Sequence, residues 1–417
     1  MSRTDGKAAV TTRGLGRTRI RVGGVFDGTT FRAEPAILTI DEGLIADIAG
    51  PARGPVDLDW EKAYAMPGLI DCHAHVTLPA DGRDYEQALL DGDGTMTAIG
   101  VEHARRHLAA GVTTIRDNGS RHRTAFEARR LLEKDSAPSP RLLVSGPPIT
   151  TTRGHFWWCG GEADDPDAIA LRVRDIAADG ADHIKVMASG GGTRGTDPGR
   201  ATYTEGEIRS AVETAHSLGL RTTAHCRATS SIRVAISAGT DGVEHAEFVD
   251  ERGEIRFDRD TAEALIASDV WICPTIQASG EHERRRLLRG GGSEQQKAAA
   301  IADEISSRSR TVLELVRMGA RERIVFGTDA GPFFTPFGDV ITELTFLRRS
   351  GLETVDCLRA ATYRAASAIG VEARTGGLSE GMEADLLIVA EPPTESLATV
   401  GSPIAVLRAG TMVGSAV

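Results

Sequence analysis

The sequence predicts an α/β fold: a (β/α)8 TIM barrel with a small β-sandwich domain formed by the N- and C-terminal segments. Between residues 66 and 371, eight strand-like runs alternate with amphipathic helical segments. Histidine, lysine or aspartate side chains close several of these runs. A barrel gathers the carboxyl ends of its parallel strands on one face, whereas a doubly wound open sheet, the main alternative, does not.

The two ends of the chain predict short antiparallel strands. The runs TRIRVGG, AILTIDEG and LIADIAG stand near the start, and GGLSEGMEADLLIVA and IAVLRAGTMVGSAV stand at the end. Alternating apolar positions and glycine-containing turns are typical of such strands. Neither end offers enough strands for a domain of its own. We therefore expect residues 1–65 and 372–417 to form one composite β-sandwich domain, with residues 66–371 as the barrel.

The central strand candidates are LIDCHAHV, VTTIRDNG, RLLVSGPPI, HIKVMASGG, RTTAHC, GVEHAEF, VWICPTI and RIVFGTDAG. Amphipathic stretches such as GEIRSAVETAHSLG separate them, as the return helices of parallel β/α units require. The stretch from Ser279 to Ala302 has three consecutive glycines and many charges. It indicates an insertion after the seventh strand, either a lid or a solvated loop that runs into a helix.

Composition argues against several classes of partner. The 417 residues are 41% hydrophobic and 26% charged, as in soluble globular proteins, and no apolar run approaches the roughly 18 residues of a membrane helix. A net charge of −11 without a dense basic block argues against nucleic acid. The start of the chain does not resemble a secretory signal, and the five scattered cysteines suit reduced thiols. We expect a cytoplasmic enzyme with a small-molecule substrate and no membrane partner.

Six side chains at the ends of strand-like runs form the candidate site: His73, His75, Lys185, His225, His245 and Asp329. His73 and His75 are two residues apart and share one face of a strand, so both imidazoles can reach one ion. His225 and His245 are separated by one short strand-helix-strand unit, which brings their strand ends side by side. The pattern predicts a hydrolase with two divalent metal ions.

Lys185 is the unusual member, because a protonated ammonium cannot coordinate a metal ion. It fits either as a barrel lysine paired to a carboxylate, or as a carbamate formed with CO2. A carbamate can bridge two ions roughly 3.5–4 Å apart, with a bridging hydroxide as nucleophile. Asp329 can bind one ion, accept the proton of the attacking water and deliver it to the leaving nitrogen. Zn2+ is the expected metal, with Mn2+ and Co2+ as alternatives.

The run PGLIDCHAH, the closing GGLSEGMEADLLIV and the six ligand positions resemble the amidohydrolase superfamily over essentially the whole chain. The resemblance implies a metal-dependent barrel hydrolase and a homo-oligomer. It also implies how the ligands divide: one ion bound by His73, His75 and Asp329, a second by His225 and His245, and carboxylated Lys185 as the bridge. KVMASGGGTRGTDP, GHFWWCGGEAD and EHAEF resemble the imidazolonepropionase-related branch that contains Xaa-Pro and other microbial dipeptidases.

Five further residues are candidates for substrate contact. The branch's peptidases use a tyrosine after the lysine segment to polarise the scissile carbonyl, which implies Tyr203 as an oxyanion donor. His155, Trp157 and Trp158 follow the third strand and predict an aromatic wall. Strand parity places Arg227 on the pocket side, where its fork can hold a carboxylate. Many dipeptidase relatives carry histidine at that position, so Xaa-Pro specificity does not transfer directly. A packing tyrosine, a rim core cluster and a surface arginine are the alternatives.

The leading functional hypothesis is hydrolysis of an amide or peptide-like C–N bond in a dipeptide or N-acyl amino acid. Hydrolysis of ureas, carbamates, lactams or lactones uses the same kind of binuclear site and stays an alternative. A deaminase is expected to carry a glutamate shortly after the fifth-strand histidine, whereas CRATSS follows His225. A non-catalytic scaffold typically loses ligands, and all six are present. Loops at the barrel rim, not the fold, set the substrate.

Overall fold

The computed structural model describes residues 16–50, 54–278 and 293–413. Fifteen strands lie in these ranges: β1 Thr18–Phe26, β2 Phe31–Arg32, β3 Ala36–Asp41, β4 Leu44–Ala49, β5 Leu58–Pro67, β6 Leu69–Ala74, β7 Val112–Asp117, β8 Arg141–Val144, β9 His183–Met187, β10 Arg221–Ala228, β11 Gly242–Val249, β12 Trp271–Cys273, β13 Leu386–Val389, β14 Ala405–Arg408 and β15 Thr411–Met412.

The same ranges contain eleven α-helices: α1 Tyr85–Ala88, α2 Asp93–Ala109, α3 Thr124–Lys134, α4 Pro166–Ala178, α5 Glu205–Ser217, α6 Thr229–Ala238, α7 Arg259–Ala267, α8 Glu294–Arg317, α9 Ile341–Arg349, α10 Thr354–Ala360 and α11 Tyr363–Ile369. Of the predicted insertion, residues 279–292 lie outside the described residues, and Ser293 caps α8. No helix within the described ranges combines the length and apolar character needed to cross a membrane.

Local signals in the sequence set where several helices begin and end. Thr204 and Glu207 form a reciprocal capping box at the start of α5, which satisfies backbone N–H groups that have no partner in the helix. Asp165 caps α4, and Pro166 occupies its first turn. Helix α6 ends at Gly239, whose φ of 85° is the left-handed conformation that glycine adopts without strain.

Strands from the two ends of the chain form one eight-stranded sheet. Its order is β15-β14-β13-β5-β1-β3-β4, with the short β2 paired to β1. Strand β13 pairs antiparallel with β5, in a register that places Leu386 opposite Pro67. Burial alternates along the first part of β1, as the apolar pattern predicts, and the buried side chains Ile20, Val22 and Ile388 belong to a core of this sheet. The domain boundaries at residues 65 and 371 stay a prediction.

The central strands form two parallel sheets, and helices connect successive strands along the chain. Strands β6, β7 and β8 form one sheet, and β9, β10, β11 and β12 form the other. Isolated parallel bridges connect them on both sides, at the pairs Ile149–Val186, Ile272–Ile324 and Ala74–Ala330. The predicted eighth strand RIVFGTDAG takes part through its bridges and not through a continuous ladder. The arrangement places the carboxyl ends of β6, β9, β10 and β11 on one face.

Arg141, at the start of β8, joins the barrel to the terminal sheet. Its Nη2 donates to Glu383 Oε2 at 2.6 Å and lies 3.5 Å from Asp385 Oδ2. Arg408 contacts the same two carboxylates, at 2.8 and 2.9 Å. Asp385 is fully buried, so its charge depends on these two guanidinium groups.

We expect Arg141→Met to lower the free energy of unfolding by about 3 kcal/mol, because it removes one cation from a buried carboxylate pair. Urea denaturation followed by circular dichroism measures the change. Arg130→Met is the matched control, since its pair with Glu127 is exposed and contributes less than about 1 kcal/mol. Equal shifts in the two variants would contradict a special role for Arg141.

Candidate functional site

The six predicted ligand residues lie together at the carboxyl ends of the barrel strands. Each is buried or nearly so, and the six come from five strand segments. His73 and His75 lie at β6, Lys185 in β9, His225 in β10, His245 in β11, and Asp329 follows Ile324. Five of them line one pocket, and the sixth, His73, contacts Asp329 behind it. The structure therefore brings the whole predicted set together.

His73, His75 and Asp329 converge on one point. The Nε2 atoms of both histidines lie 3.5 Å from Oδ1 of Asp329. The other ring nitrogen of each histidine is already engaged, Nδ1 of His73 by Glu244 at 2.7 Å and Nδ1 of His75 by the carbonyl of Gly119 at 2.9 Å. These contacts aim both Nε2 atoms at the aspartate, as binding of a shared cation requires.

His225 and His245 form a second convergent pair. Nδ1 of His225 and Nε2 of His245 are 2.8 Å apart, while their other nitrogens contact the Gly190 carbonyl at 3.1 Å and the Thr275 hydroxyl at 2.7 Å. Burial holds the pKa of both imidazoles well below its usual value, so both rings are neutral. Two neutral rings with facing nitrogens offer two lone pairs to one ion.

Lys185 and Asp329 carry the polar atoms that fit a metal group. Lys185 Nζ and Asp329 Oδ1 are buried and, among the described residues, have no hydrogen-bond partner. Burial lowers the pKa of Lys185 and raises that of Asp329. A buried polar atom without a partner is costly, so both atoms fit a site that binds a further group. One ligand atom from each of His73, His245 and Asp329 lies within 4.8 Å of the other two.

Glu244 positions the ring of His73, a role that was not predicted. It is fully buried on β11, beside His245, and accepts hydrogen bonds from His73 Nδ1 and from Arg116 at 2.8 Å. Although burial alone would raise its pKa, Arg116 and His73 hold the pKa of Glu244 well below its usual range. The carboxylate therefore fixes the His73 tautomer that leaves Nε2 free. Its position next to His245 on a fully buried strand was the available signal.

Asp71 performs a similar function between two strands. Its Oδ1 accepts the backbone N–H groups of His73 and Thr328, each at 3.0 Å, and its Oδ2 contacts His107 Nε2 at 2.8 Å. The carboxylate thereby ties the end of β6 to the segment that carries Asp329. Asp329 itself has a left-handed φ of 52°, which a non-glycine residue adopts only when its surroundings hold it.

The pocket in front of these residues is a cavity of about 70 Å3. One wall is aromatic, and the other is a charged cluster of which only Arg227 was predicted. The wall consists of Tyr85, Phe156 and Phe333, and the cluster of Arg227, Glu247, Glu304 and Arg308. Two larger cavities adjoin it, one of about 410 Å3 through Tyr85 and one of about 520 Å3 through Arg227 and Glu304.

Two of the predicted substrate residues line this pocket. His155 contacts Thr193 Oγ1 at 2.8 Å through Nδ1, and its ring centre lies 4.6 Å from that of His225. Arg227 is largely buried, and its Nε donates to Glu247 Oε2 at 2.6 Å. Trp157 and Trp158 instead line the neighbouring 410 Å3 cavity, because Phe156 takes a left-handed φ of 60° and begins a short 3-10 turn there.

The structure does not bring Tyr203 to this pocket. Its hydroxyl donates to the Ala163 carbonyl at 2.6 Å, and its ring packs in the core of the barrel. An oxyanion donor must point its hydroxyl at the reacting carbonyl. This placement does not support the predicted role, and Tyr203 has the position of a packing residue.

Comparison with known proteins gives the family. The model of the amidohydrolase family matches residues 64–413. The chain belongs to the amidohydrolase family. The predicted enzyme class, a hydrolase of amide or peptide bonds, is confirmed, and members of this family generally use divalent metal ions.

Similar proteins support the same assignment. The amidohydrolase is 28% identical over 407 residues to ochratoxinase of Aspergillus niger, covering 89% of this chain and 80% of that protein. It is 23% identical over 408 residues to imidazolonepropionase of Bradyrhizobium sp., covering 86% and 90% of the two chains. The structure of a Xaa-Pro dipeptidase with bound methionine has a TM-score of 0.82 at 24% identity, covering 95% and 99%. This likeness confirms the predicted barrel fold.

We expect Glu244→Gln to weaken zinc binding by about 10- to 100-fold, because the amide no longer fixes the His73 tautomer. Competition with a chelating dye measures the zinc dissociation constants. Glu263→Gln, on the exposed face of α7, is the control and should leave them unchanged. Wild-type zinc affinity in a folded Glu244→Gln protein would show that the carboxylate has no such role.

Proposed function

We propose that this amidohydrolase uses two divalent metal ions to hydrolyse an amide or peptide-like C–N bond in a dipeptide or N-acyl amino acid. The observation that carries the proposal is the convergence of imidazole nitrogens at a pocket that also holds two buried polar atoms, Lys185 Nζ and Asp329 Oδ1, without partners among the described residues. The donor set of imidazole and carboxylate groups suits zinc first, with manganese and cobalt as alternatives.

Six residues would hold the ions: His73, His75 and Asp329 the first, His225 and His245 the second, and Lys185, as a carbamate formed with CO2, both. When bound, two such ions polarise the scissile carbonyl and lower the pKa of the attacking water. The lowered pKa of Lys185 supports carbamate formation, since only a neutral amine reacts with CO2.

Asp329 is the proposed general base and acid. Asp329 lines the pocket, and its buried Oδ1 has no hydrogen-bond partner in the described part of the chain. It accepts a proton from the attacking water as the new C–O bond forms, and delivers that proton to the nitrogen as the C–N bond breaks. The ring of His155 lies close to that of His225 at the pocket surface and is positioned to contact the substrate.

Arg227 is the proposed contact for a substrate carboxylate. Glu247 accepts a hydrogen bond from its Nε, its Nη2 lies 3.9 Å from Glu304 Oε1, and the side chain lines the pocket, where a guanidinium group suits a carboxylate. The small central cavity holds the scissile bond, and the two adjoining cavities accept the rest of the substrate. The exposed ring of Trp157 in one of them offers a surface for an apolar or aromatic group. A homo-oligomer in the cytoplasm remains our expectation.

We expect Lys185→Ala to remove one equivalent of bound metal and to reduce hydrolysis by at least about a hundredfold, because it removes the bridging carbamate. Metal analysis of the purified protein and hydrolysis of a pool of dipeptides and N-acyl amino acids measure the two effects. The exposed Lys134→Ala in α3 is the control. Full activity with two metal ions in Lys185→Ala would contradict the proposed bridge. No cleavage by a wild-type protein with two metals would direct the search to ureas, carbamates, lactams and lactones.

Arg227→Ala should raise KM about 10- to 100-fold for substrates with a free carboxylate, since a charge-assisted bidentate contact is lost. The matched measurement uses the same substrates as carboxamides, whose KM should change little. Arg233→Ala, exposed in α6, controls for a general loss of positive charge. An equal change for carboxylates and carboxamides would discard this role.

A further inference from the structure

Arg308 is a buried cation at the pocket that the catalytic proposal does not use. It lies on α8 and is 4% exposed. Its Nη2 contacts three groups: the Pro274 carbonyl at 3.0 Å, Thr275 Oγ1 at 3.3 Å and Glu247 Oε1 at 3.2 Å. Glu247 lies near the carboxyl end of β11, and Pro274 and Thr275 directly follow β12.

We propose that Arg308 is a positioning residue for His245, acting through Thr275. This inference rests on the proposed function, because it assigns His245 to a metal ion. It adds a residue from a helix that carries none of the six ligands.

Thr275 is the link between the arginine and the histidine. It has a left-handed φ of 49°, which is unfavourable for a β-branched residue and persists only when neighbouring groups hold it. Arg308 Nη2 donates both to the carbonyl that precedes Thr275 and to its hydroxyl oxygen. These two hydrogen bonds fix the backbone before Thr275 and the Thr275 side chain.

The held hydroxyl in turn orients the His245 ring. Thr275 Oγ1 lies 2.7 Å from His245 Nδ1, and on the opposite side of the ring Nε2 lies 2.8 Å from Nδ1 of His225. The imidazole has a fixed distance between its nitrogens, so an anchor at Nδ1 determines where Nε2 points. With Nδ1–H donating to the hydroxyl, the lone pair of Nε2 is free for an ion.

Glu247 fixes Arg308 and Arg227 at the same time. Its Oε1 faces Arg308, and its Oε2 accepts the Nε–H of Arg227 at 2.6 Å. One buried carboxylate therefore supports two arginines with different roles. Arg227 lines the pocket and is the proposed substrate contact, whereas Arg308 directs Nη2 at the Pro274 carbonyl and the Thr275 hydroxyl. Substitution of Arg308 should therefore weaken zinc binding, whereas substitution of Arg227 should weaken binding of carboxylate substrates.

The test measures zinc dissociation constants of the full-length protein by competition with a chelating dye. Arg308→Met and Thr275→Val should each weaken the more weakly bound zinc ion about tenfold or more. Arg308→Lys and Thr275→Ser should recover most of that loss, because each keeps the hydrogen-bonding group. Arg310→Met, two residues away on the exposed side of α8, should bind zinc as the wild type does.

A second readout separates positioning from general damage. The Arg308 and Thr275 variants should keep the wild-type ratio of KM for carboxylate and carboxamide substrates, while Arg227→Ala changes that ratio and leaves zinc affinity unchanged. Unchanged zinc dissociation constants in folded Arg308→Met and Thr275→Val proteins, with two ions in the wild type, overturn this inference alone. A wild-type protein that binds neither zinc, manganese nor cobalt overturns the proposed function and this inference with it.

Discussion

The cost of burying a polar atom without a partner governs the carboxyl end of this barrel. Lys185 Nζ and Asp329 Oδ1 are buried and have no hydrogen-bond partner among the described residues, which costs free energy unless a bound group satisfies them. Burial keeps the nearby His225 and His245 rings neutral, and their facing nitrogens are 2.8 Å apart. Divalent metal ions can bind a carboxylate, a lysine carbamate and four imidazoles together.

Strand β11 concentrates much of the support in a few consecutive residues. Glu244 holds His73 from the neighbouring part of the barrel, His245 faces the site directly, and Glu247 holds the two arginines at the rim. A regular strand alternates its side chains between two faces, which would separate Glu244 from His245 and Glu247. Left-handed φ values at His245 and Ala246 break that alternation, and all three side chains take part in the site.

The part of the site that follows from local spacing could be predicted from the sequence. Two histidines two residues apart on a strand, and single ligands at the ends of later strands, are enough to place His73, His75 and His245 together in a barrel. The barrel and the terminal strands follow from the same periodicity. Backbone reversals defeat this reasoning: the left-handed Phe156 sends Trp157 and Trp158 to a neighbouring cavity.

Contacts between distant segments were beyond prediction from one sequence. Glu244 is 171 residues from His73, and Asp71 is 257 residues from Thr328, so no local pattern pairs them. Arg308 was equally hidden, because a single arginine on an amphipathic helix normally faces water. The resemblance to the dipeptidase branch also suggested Tyr203, whose hydroxyl is in fact engaged by a backbone carbonyl.

The pairing of β5 with β13 has a consequence for the order in which the protein folds. About 320 residues separate the two strands, and β13, β14 and β15 are synthesised after all the barrel strands from β6 to β12. The terminal sheet therefore cannot be completed until those barrel strands and their helices have left the ribosome. Until then, β1, β3 and β5 form a sheet with an unprotected edge at β5, the kind of edge that pairs with other chains. The pairing of β13 with β5 therefore completes the terminal sheet and protects that edge in one step.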